Sequence, residues 1–360
     1  MSRPAQRNDR AKHGVHGDGA TQENALPALC FVDDAVPGIT RRRAGRGWAY
    51  FDPDGKRITD RDEIDRLNRV GLPPAYQNAW YCPDPAGHIQ ATARDEKGRK
   101  QYRYHPDFRA AQDSEKFDRC ADFGRALTRV RARVEQDLAA RGLPKRAAVA
   151  AVVRLLDLGR VRVGNEDYAR ANGSFGATTL RGRHVQVRGP RVMLQYRGKS
   201  GKMQRLTIQN QRLARIVRKC QDLPGQRLFQ YLDEHGEARP VTSSEVNAYL
   251  REASGADFTA KHFRTWGASV IAFAALVAAG PEGLGLKAML EPVAAALGNT
   301  PAISRKAYVH PALIELARAG GLKGQPRLRL PRATKFLSPA ERGLLAFLDA
   351  VAAAPDSKAA

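Results

Sequence analysis

The sequence predicts an α+β protein in two parts: a small N-terminal β-rich domain, then a larger, mainly α-helical domain that holds a short β-hairpin sheet. Three observations point there. Before Pro106 the apolar residues come in short runs broken by turn residues. After Pro106 they recur at helical spacings over long stretches. The length of 360 residues, 42% of them hydrophobic, suits two domains of roughly 100–200 residues each. The expected division is a polar, aperiodic and disordered tail over 1–27, the β-rich domain over 28–110, the helical domain over 111–346, and the end of the last helix with a tail over 347–360.

Each element has its own signal. Trp48 to Phe51 is a strand-like run closed by the turn Asp52-Pro53-Asp54-Gly55, and Asn78 to Cys82 is closed by Pro83-Asp84-Pro85-Ala86-Gly87. His88 to Thr92 runs toward a turn at Asp95-Glu96-Lys97-Gly98, with a helix over Asp60 to Asn68 interposed earlier. Beyond Pro106, Phe117, Cys120, Phe123, Leu127, Val130 and Val134 fall three or four apart, a helical stripe that continues to about Arg141. A helix over Ala147 to Leu158 follows, then strand-like runs at Gln186-Val187, Val192 to Tyr196 and Met203 to Ile208. Helical patterns cover Asn210–Lys219, Ser243–Ala253, Lys261–Ala279, Leu284–Leu297, Pro301–Val309, Pro311–Ala319 and Pro339–Ala353.

Charge narrows the function. There are 60 Lys and Arg against 37 Asp and Glu, a net +23. Such an excess favours a polyanionic partner, because basic side chains release the counterions condensed on phosphates. The N-terminal stretch lacks the apolar core of a signal peptide. The longest apolar run, Ala268 to Ala279, is shorter than the roughly 20 residues that span a bilayer, and reads as a buried helix. Cys30, Cys82, Cys120 and Cys220 are far apart with no C-x-x-C pair, so neither a disulfide framework nor a zinc site is indicated. The expectation is a cytoplasmic, reduced protein with no membrane partner.

Four segments carry chemistry. Arg162 lies in Val161-Arg162-Val163-Gly164-Asn165-Glu166-Asp167-Tyr168, and Lys199 sits in the turn Gly198-Lys199-Ser200-Gly201 between two β-runs. Arg264 lies in Lys261-His262-Phe263-Arg264-Thr265-Trp266-Gly267, and Tyr308 in Asn299-Thr300-Pro301-Ala302-Ile303-Ser304-Arg305-Lys306-Ala307-Tyr308-Val309-His310-Pro311. With 60 basic residues and ten tyrosines, each piece alone is weak. Their order is the informative feature: Arg, a Lys on a hairpin, Lys-x-x-Arg, then Tyr near the end of a short helix.

That order resembles the type IB DNA topoisomerases, in particular their compact poxvirus and bacterial branch. So do Gly71-Leu72-Pro73-Pro74-Ala75-Tyr76, Gly87 to Thr92, and Gly98 to Pro106, and the resemblance spans about residues 30 to 340. It implies a tyrosine-recombinase-like catalytic domain and a C-shaped clamp of two domains on duplex DNA. It implies Tyr308 as the nucleophile, Arg162 and Arg264 as the clamp on the scissile phosphate, Lys199 as general acid and Lys261 as a further active-site lysine. The fifth position, histidine in poxvirus and eukaryotic members, falls on Asn299; asparagine can donate a hydrogen bond but brings no charge. Asn165 and Tyr168 match DNA-facing positions of the family.

Gln90, Arg99, Lys100 and Tyr102 are further candidate DNA contacts, from their basic and aromatic setting between turns. For all six contacts a solvated strand edge or a packed ring is the competing role. The expected activity is relaxation of supercoiled DNA through a 3′-phosphotyrosyl intermediate by a monomer, with no cofactor, metal or nucleotide. Gly198-Lys199-Ser200 looks like the end of a nucleotide loop, but the upstream glycine is missing and a strand follows.

Two rivals remain at this point. A tyrosine recombinase shares the order of residues but usually has His-x-x-Arg where this chain has Lys261-x-x-Arg264. A DNA-binding protein without catalysis would leave the Arg–Lys–Arg–Tyr set unexplained.

Overall fold

The computed structural model describes residues 29–96 and 98–354, without the side chains of Gln112–Ser114, Asp167, Tyr168 and Ala171. The expected disordered tail over 1–27 lies outside the described residues, as does 355–360. The chain divides into two compact units after Gln112.

The first unit is built on a five-stranded antiparallel sheet. Its strands are β1 (Ile39–Ala44), β2 (Gly47–Phe51), β3 (Gln77–Tyr81), β4 (Ile89–Arg94) and β5 (Lys100–Tyr104), in the order β2-β1-β3-β4-β5. Helix α1 (Arg61–Arg69) interrupts it, its N-terminus capped by the Asp60 carboxylate accepting from the Asp62 amide. Leu67 of α1 joins Ile39, Tyr50, Leu72, Tyr81, Ala91 and Ala93 in a small core. Strand β1 carries three consecutive arginines, Arg41 to Arg43, and β5 alternates Tyr102 and Tyr104 with Lys100, Gln101 and Arg103, so neither is an apolar run. They are strands because their neighbours pair with them, which local propensity does not reveal.

The second unit is helical, with α2 (Pro106–Asp118) straddling the division. The stripe expected as one continuous helix is two, because the chain breaks at Arg119 (φ −80°, ψ 1°) before α3 (Cys120–Leu138). Arg119 donates to the Asp257 carbonyl at 2.9 Å and lies over the Phe258 ring. The apolar spacing continues across this break, so periodicity cannot show it. Then come α4 (Lys145–Gly159), α5 (Glu166–Asn172), β6 (Val185–Arg188), β7 (Arg191–Arg197), β8 (Met203–Gln209), α6 (Gln211–Gln221), β9 (Gln230–Leu232), β10 (Ala238–Pro240) and α7 (Ser243–Ser254). The chain finishes with α8 (His262–Ala279), α9 (Leu286–Leu297), α10 (Pro301–Ala307), α11 (Pro311–Arg318) and α12 (Pro339–Ala353). Strands β6-β7-β8 form one antiparallel sheet and β9-β10 a hairpin. Helix α5 and the β9-β10 hairpin are too polar and short to leave a periodic signal.

Helices α3, α4 and α8 form the centre of the core, with Leu127, Leu156, Ala268, Ala272 and Leu276 fully buried. By length and composition His262–Glu282 could cross a membrane, yet Phe263, Trp266 and Phe273 on it are buried within the unit, which makes α8 a core helix. All four cysteines are free thiols.

Candidate active site

Each candidate side chain stands where a regular element ends. Helix α4 stops at Arg160, which adopts a left-handed conformation (φ 50°, ψ 26°), and Arg162 follows on an extended segment. That segment is pinned: the Arg162 carbonyl accepts from the Ala177 amide at 2.8 Å, and the Val163 carbonyl from the Thr178 amide at 2.7 Å. The chain passes so close here that a Cβ on Gly176 would lie 2.6 Å from the Arg162 carbonyl oxygen. Only glycine allows that approach.

Lys199 occupies the loop that joins β7 to β8. The strands stay in register up to the pair Arg197–Met203, and the Gly198 amide donates to the Lys202 carbonyl at 2.8 Å. The loop closes because Ser200 (φ 62°) and Gly201 (φ 73°) both turn left-handed. Lys199 is exposed at its tip.

Arg264 is on the first turn of α8 and only 4% exposed. A buried guanidinium needs acceptors, and two main-chain carbonyls supply them: Nη1 donates to Arg160 at 2.5 Å and Nη2 to Leu297 at 3.2 Å. Its Nε is buried with no partner. Lys261 sits one turn earlier, exposed, at the N-cap of the same helix.

Asn299 follows α9, whose end at Gly298 is left-handed (φ 64°). Its Oδ1 accepts from Arg162 Nη2 at 2.9 Å, while its Nδ2 is buried without a partner. Helix α10 then begins with Thr300 as cap and Pro301 in its first turn. It cannot run on through His310, because the residue before Pro311 is driven out of the helical region. The chain leaves the helix at Tyr308 (φ −133°). Ser269 of α8 fixes the exit by accepting the His310 amide at 3.1 Å.

Five of these residues come together. Arg162, Lys199 and Arg264 line one small cavity of about 60 Å³, with Tyr196 and Gln204 in its wall. Asn299 reaches it through Arg162, and Tyr308 through Arg264, whose guanidinium carbon is 4.7 Å from the Tyr308 ring centroid. Burial works against ionisation of the Tyr308 phenol, but the charges of Arg264 and then Arg162 outweigh it and hold its pKa below the usual value. Tyr196 sits near the same two arginines with the opposite result: deep burial pushes its phenol up to about 12. Burial likewise lowers the Arg264 pKa, opposed by Tyr308.

Several supporting residues leave no signal in the sequence. Arg160 serves through its carbonyl, which no side-chain motif reports. Gln204 packs against both the Lys199 loop and the Asn299 turn: a Cβ on Gly198 would lie 2.8 Å from its Cγ, and one on Gly298 2.6 Å from its Oε1. Ser269 reads only as part of an apolar helix.

The expected DNA contacts fare unevenly. Gln90 is 7% exposed and uses its amide internally, donating to the Pro85 and Gly87 carbonyls and accepting from Arg66. It holds the preceding turn, on a strand β4 that is flanked by β3 and β5 and buried along most of its length. Arg99 pairs with Asp95 across the β4–β5 turn at 2.5 Å, and Lys100 with Asp34 at 2.5 Å. Tyr102 is 38% exposed and stacks on Tyr104 with ring centroids 5.9 Å apart. Asn165 is exposed just before α5, and the Tyr168 side chain lies outside the described residues.

Comparison with known proteins converges with this geometry. Residues 105–313 match the family described as eukaryotic DNA topoisomerase I, catalytic core, and residues 47–95 that described as bacterial DNA topoisomerase IB, N-terminal domain. DNA topoisomerase 1B of Acanthamoeba polyphaga mimivirus is 32% identical over 294 residues, which cover 78% of this chain and 88% of the viral one. DNA topoisomerase 1B of vaccinia virus (strain Copenhagen) is 21% identical, covering 75% of this chain and 90% of the viral one. Among solved structures, the XerH site-specific recombinase bound to its difH substrate covers 51% of this chain and 48% of its own, at 12% identity and a TM-score of 0.35, too remote to carry an argument. With a family match over more than half its length and a relative 32% identical over 78% of it, the chain belongs to the type IB DNA topoisomerases.

Proposed function

We propose that Tyr308 is the nucleophile and that Arg162, Arg264, Asn299 and Lys199 act around it on one phosphodiester of duplex DNA. The observation that carries this is geometric: Arg162, Lys199 and Arg264 line one cavity, and the Tyr308 ring centroid lies 4.7 Å from the Arg264 guanidinium carbon. The same charges hold the Tyr308 phenol below its usual pKa, whereas burial raises that of Tyr196. Tyr308 Oη gives up its proton to solvent as it bonds to the scissile phosphorus, and the bond to the 5′-oxygen breaks. The product is a 3′-phosphotyrosine and a 5′-hydroxyl. Because the new link is again a phosphodiester, the freed hydroxyl can reverse the step, and no ATP is consumed.

The other residues follow from where charge develops. The transition state spreads charge over equatorial oxygens, with entering and leaving oxygens roughly in line. Two guanidinium forks suit that geometry better than point charges. The buried Nε of Arg264 and Nδ2 of Asn299, both without partners, are donors that nonbridging oxygens would satisfy. The leaving oxygen needs a proton, and Lys199, exposed on its loop beside the cavity, is the donor we assign. Lys261, one turn before Arg264, is a second cation near the phosphate. One tyrosine cuts one strand, so a single copy of the chain suffices, without nucleotide or metal. Asn165, Tyr168, Lys100, Arg99 and Tyr102 remain the side chains proposed to track the duplex, in the compartment that holds the DNA.

The test is relaxation of supercoiled plasmid in EDTA without ATP, wild type against Tyr308→Phe. Wild type relaxes and traps DNA covalently; the variant does neither, yet binds duplex as before. Relaxation surviving in the variant would show that another group is the nucleophile.

A further inference from the structure

A second cavity, of about 440 Å³, adjoins the first, and the two share Phe175 and Tyr196 in their walls. Arg170, Arg181, Arg183 and Arg197 line it, and among the described residues no carboxylate does. Guanidinium groups are rarely gathered without acids, because each repels the others. Among the described residues that charge is left largely uncompensated. Arg170 faces Glu166 only at 3.9 Å, and that carboxylate is held more closely by Arg227. Arg181 lies over the Phe175 ring, its guanidinium carbon 5.4 Å from the centroid. Arg183 and Arg197 are exposed.

The cavity is also tied to the machinery of the first. Arg197 is the last residue of β7 and faces Met203, the first of β8, so the two close the base of the loop that carries Lys199. Met203 lines the second cavity with Arg197. The Arg197 carbonyl accepts from the Phe175 amide at 2.7 Å, which joins the loop base to the wall common to both cavities.

We propose that this arginine-lined cavity seats a phosphodiester of the duplex other than the scissile one, on a strand whose scissile phosphate occupies the first cavity. The inference rests on the proposed reading of the first cavity as the cleavage site. Three properties select this ligand. The lining is cationic and forked, which matches phosphate oxygens in pairs. Its arginines come from three separate elements, α5, the 181–184 segment and β7. It adjoins the first cavity, sharing Phe175 and Tyr196 with it, and a strand held there at one phosphate carries its next charges close by. An occupied second cavity would also hold the base of the Lys199 loop, through Arg197.

The test measures duplex affinity against salt concentration in a Tyr308→Phe background, where no covalent product forms. Arg183→Gln and the double variant Arg181→Gln/Arg183→Gln are compared with Arg318→Gln, an exposed arginine on α11 outside the cavity. Every phosphate that a variant no longer neutralises lowers the magnitude of the slope of log affinity against log salt by about 0.9. The expected result is a slope reduced by about one unit in the cavity variants and unchanged in Arg318→Gln, with the variants melting as their parent does. An unchanged slope in the cavity variants overturns the proposal, and so does an equal reduction in Arg318→Gln, which would mean diffuse charge with no site. Either result leaves the cleavage reading intact if the parent protein with Tyr308 still relaxes plasmid. Absence of both relaxation and duplex binding in that parent overturns the cleavage reading itself.

Discussion

Arg264 performs two tasks with one side chain, and its surroundings explain how. Two of its donors are committed to the carbonyls of Arg160 and Leu297, so the guanidinium is fixed before any substrate arrives. Its plane is close to the Tyr308 ring, and its charge is the main influence that offsets burial of the phenol. Removing that charge must raise the Tyr308 pKa, since nothing else near it favours the phenolate as strongly. Arg264→Gln is therefore expected to slow single-turnover cleavage by roughly 10²–10³ and to displace its pH–rate profile toward higher pH. A cleavage profile with an unmoved pH midpoint would refute the coupling. Arg264 and Tyr308 are legible in the sequence as residue types in order, while Arg160 is invisible there because its carbonyl does the work.

At the scale of elements, the site depends on helices that are held by buried polar groups. Glu341 caps α12 with Ser338, pairs with Arg131 of α3 at 2.7 Å and accepts from Trp266 of α8 at 3.2 Å. His262, on the first turn of α8, is stacked on Phe123 and edge-on to Phe258. Burial pushes its pKa down to about 4 from an ordinary 6.5. The unfolded chain therefore binds the proton more readily, and stability falls as pH drops from about 6.5 toward 4. Above 6.5 the histidine is neutral in both states and has no such effect. Thermal unfolding across this range should show a loss of several degrees, reduced in His262→Asn. An equal acid loss in that variant would assign the effect to other groups.

For the whole molecule, the +23 charge argues for a partner that carries many phosphates. Wild-type duplex affinity should fall with log salt at about −0.9 per phosphate contacted, steeply enough to require several contacts. A flat dependence would contradict backbone binding. Some of the 60 basic side chains are nonetheless paired internally: Arg99 with Asp95, Lys100 with Asp34 and Arg131 with Asp157 and Glu341. The gross count of basic residues therefore overstates the charge free to meet DNA, and the arginines without acidic partners matter more than that count.

By itself, the sequence determined the two-part α+β organisation, most helices, the hairpin loop of Lys199 and the ordered set Arg162, Lys199, Arg264 and Tyr308. These were legible because periodicity, turn residues and caps such as Thr300-Pro301 are local, and local physics is written in neighbouring residues. Tertiary structure alone decided the rest. It broke the long helix at Arg119, made strands of the charged segments β1 and β5, and buried Gln90. It also set Gln204 between the Lys199 loop and the Asn299 turn, and gathered four arginines around one cavity. Each of these depends on which surfaces meet across distant parts of the chain, and burial, pairing and the electric field at a phenol are properties of that meeting.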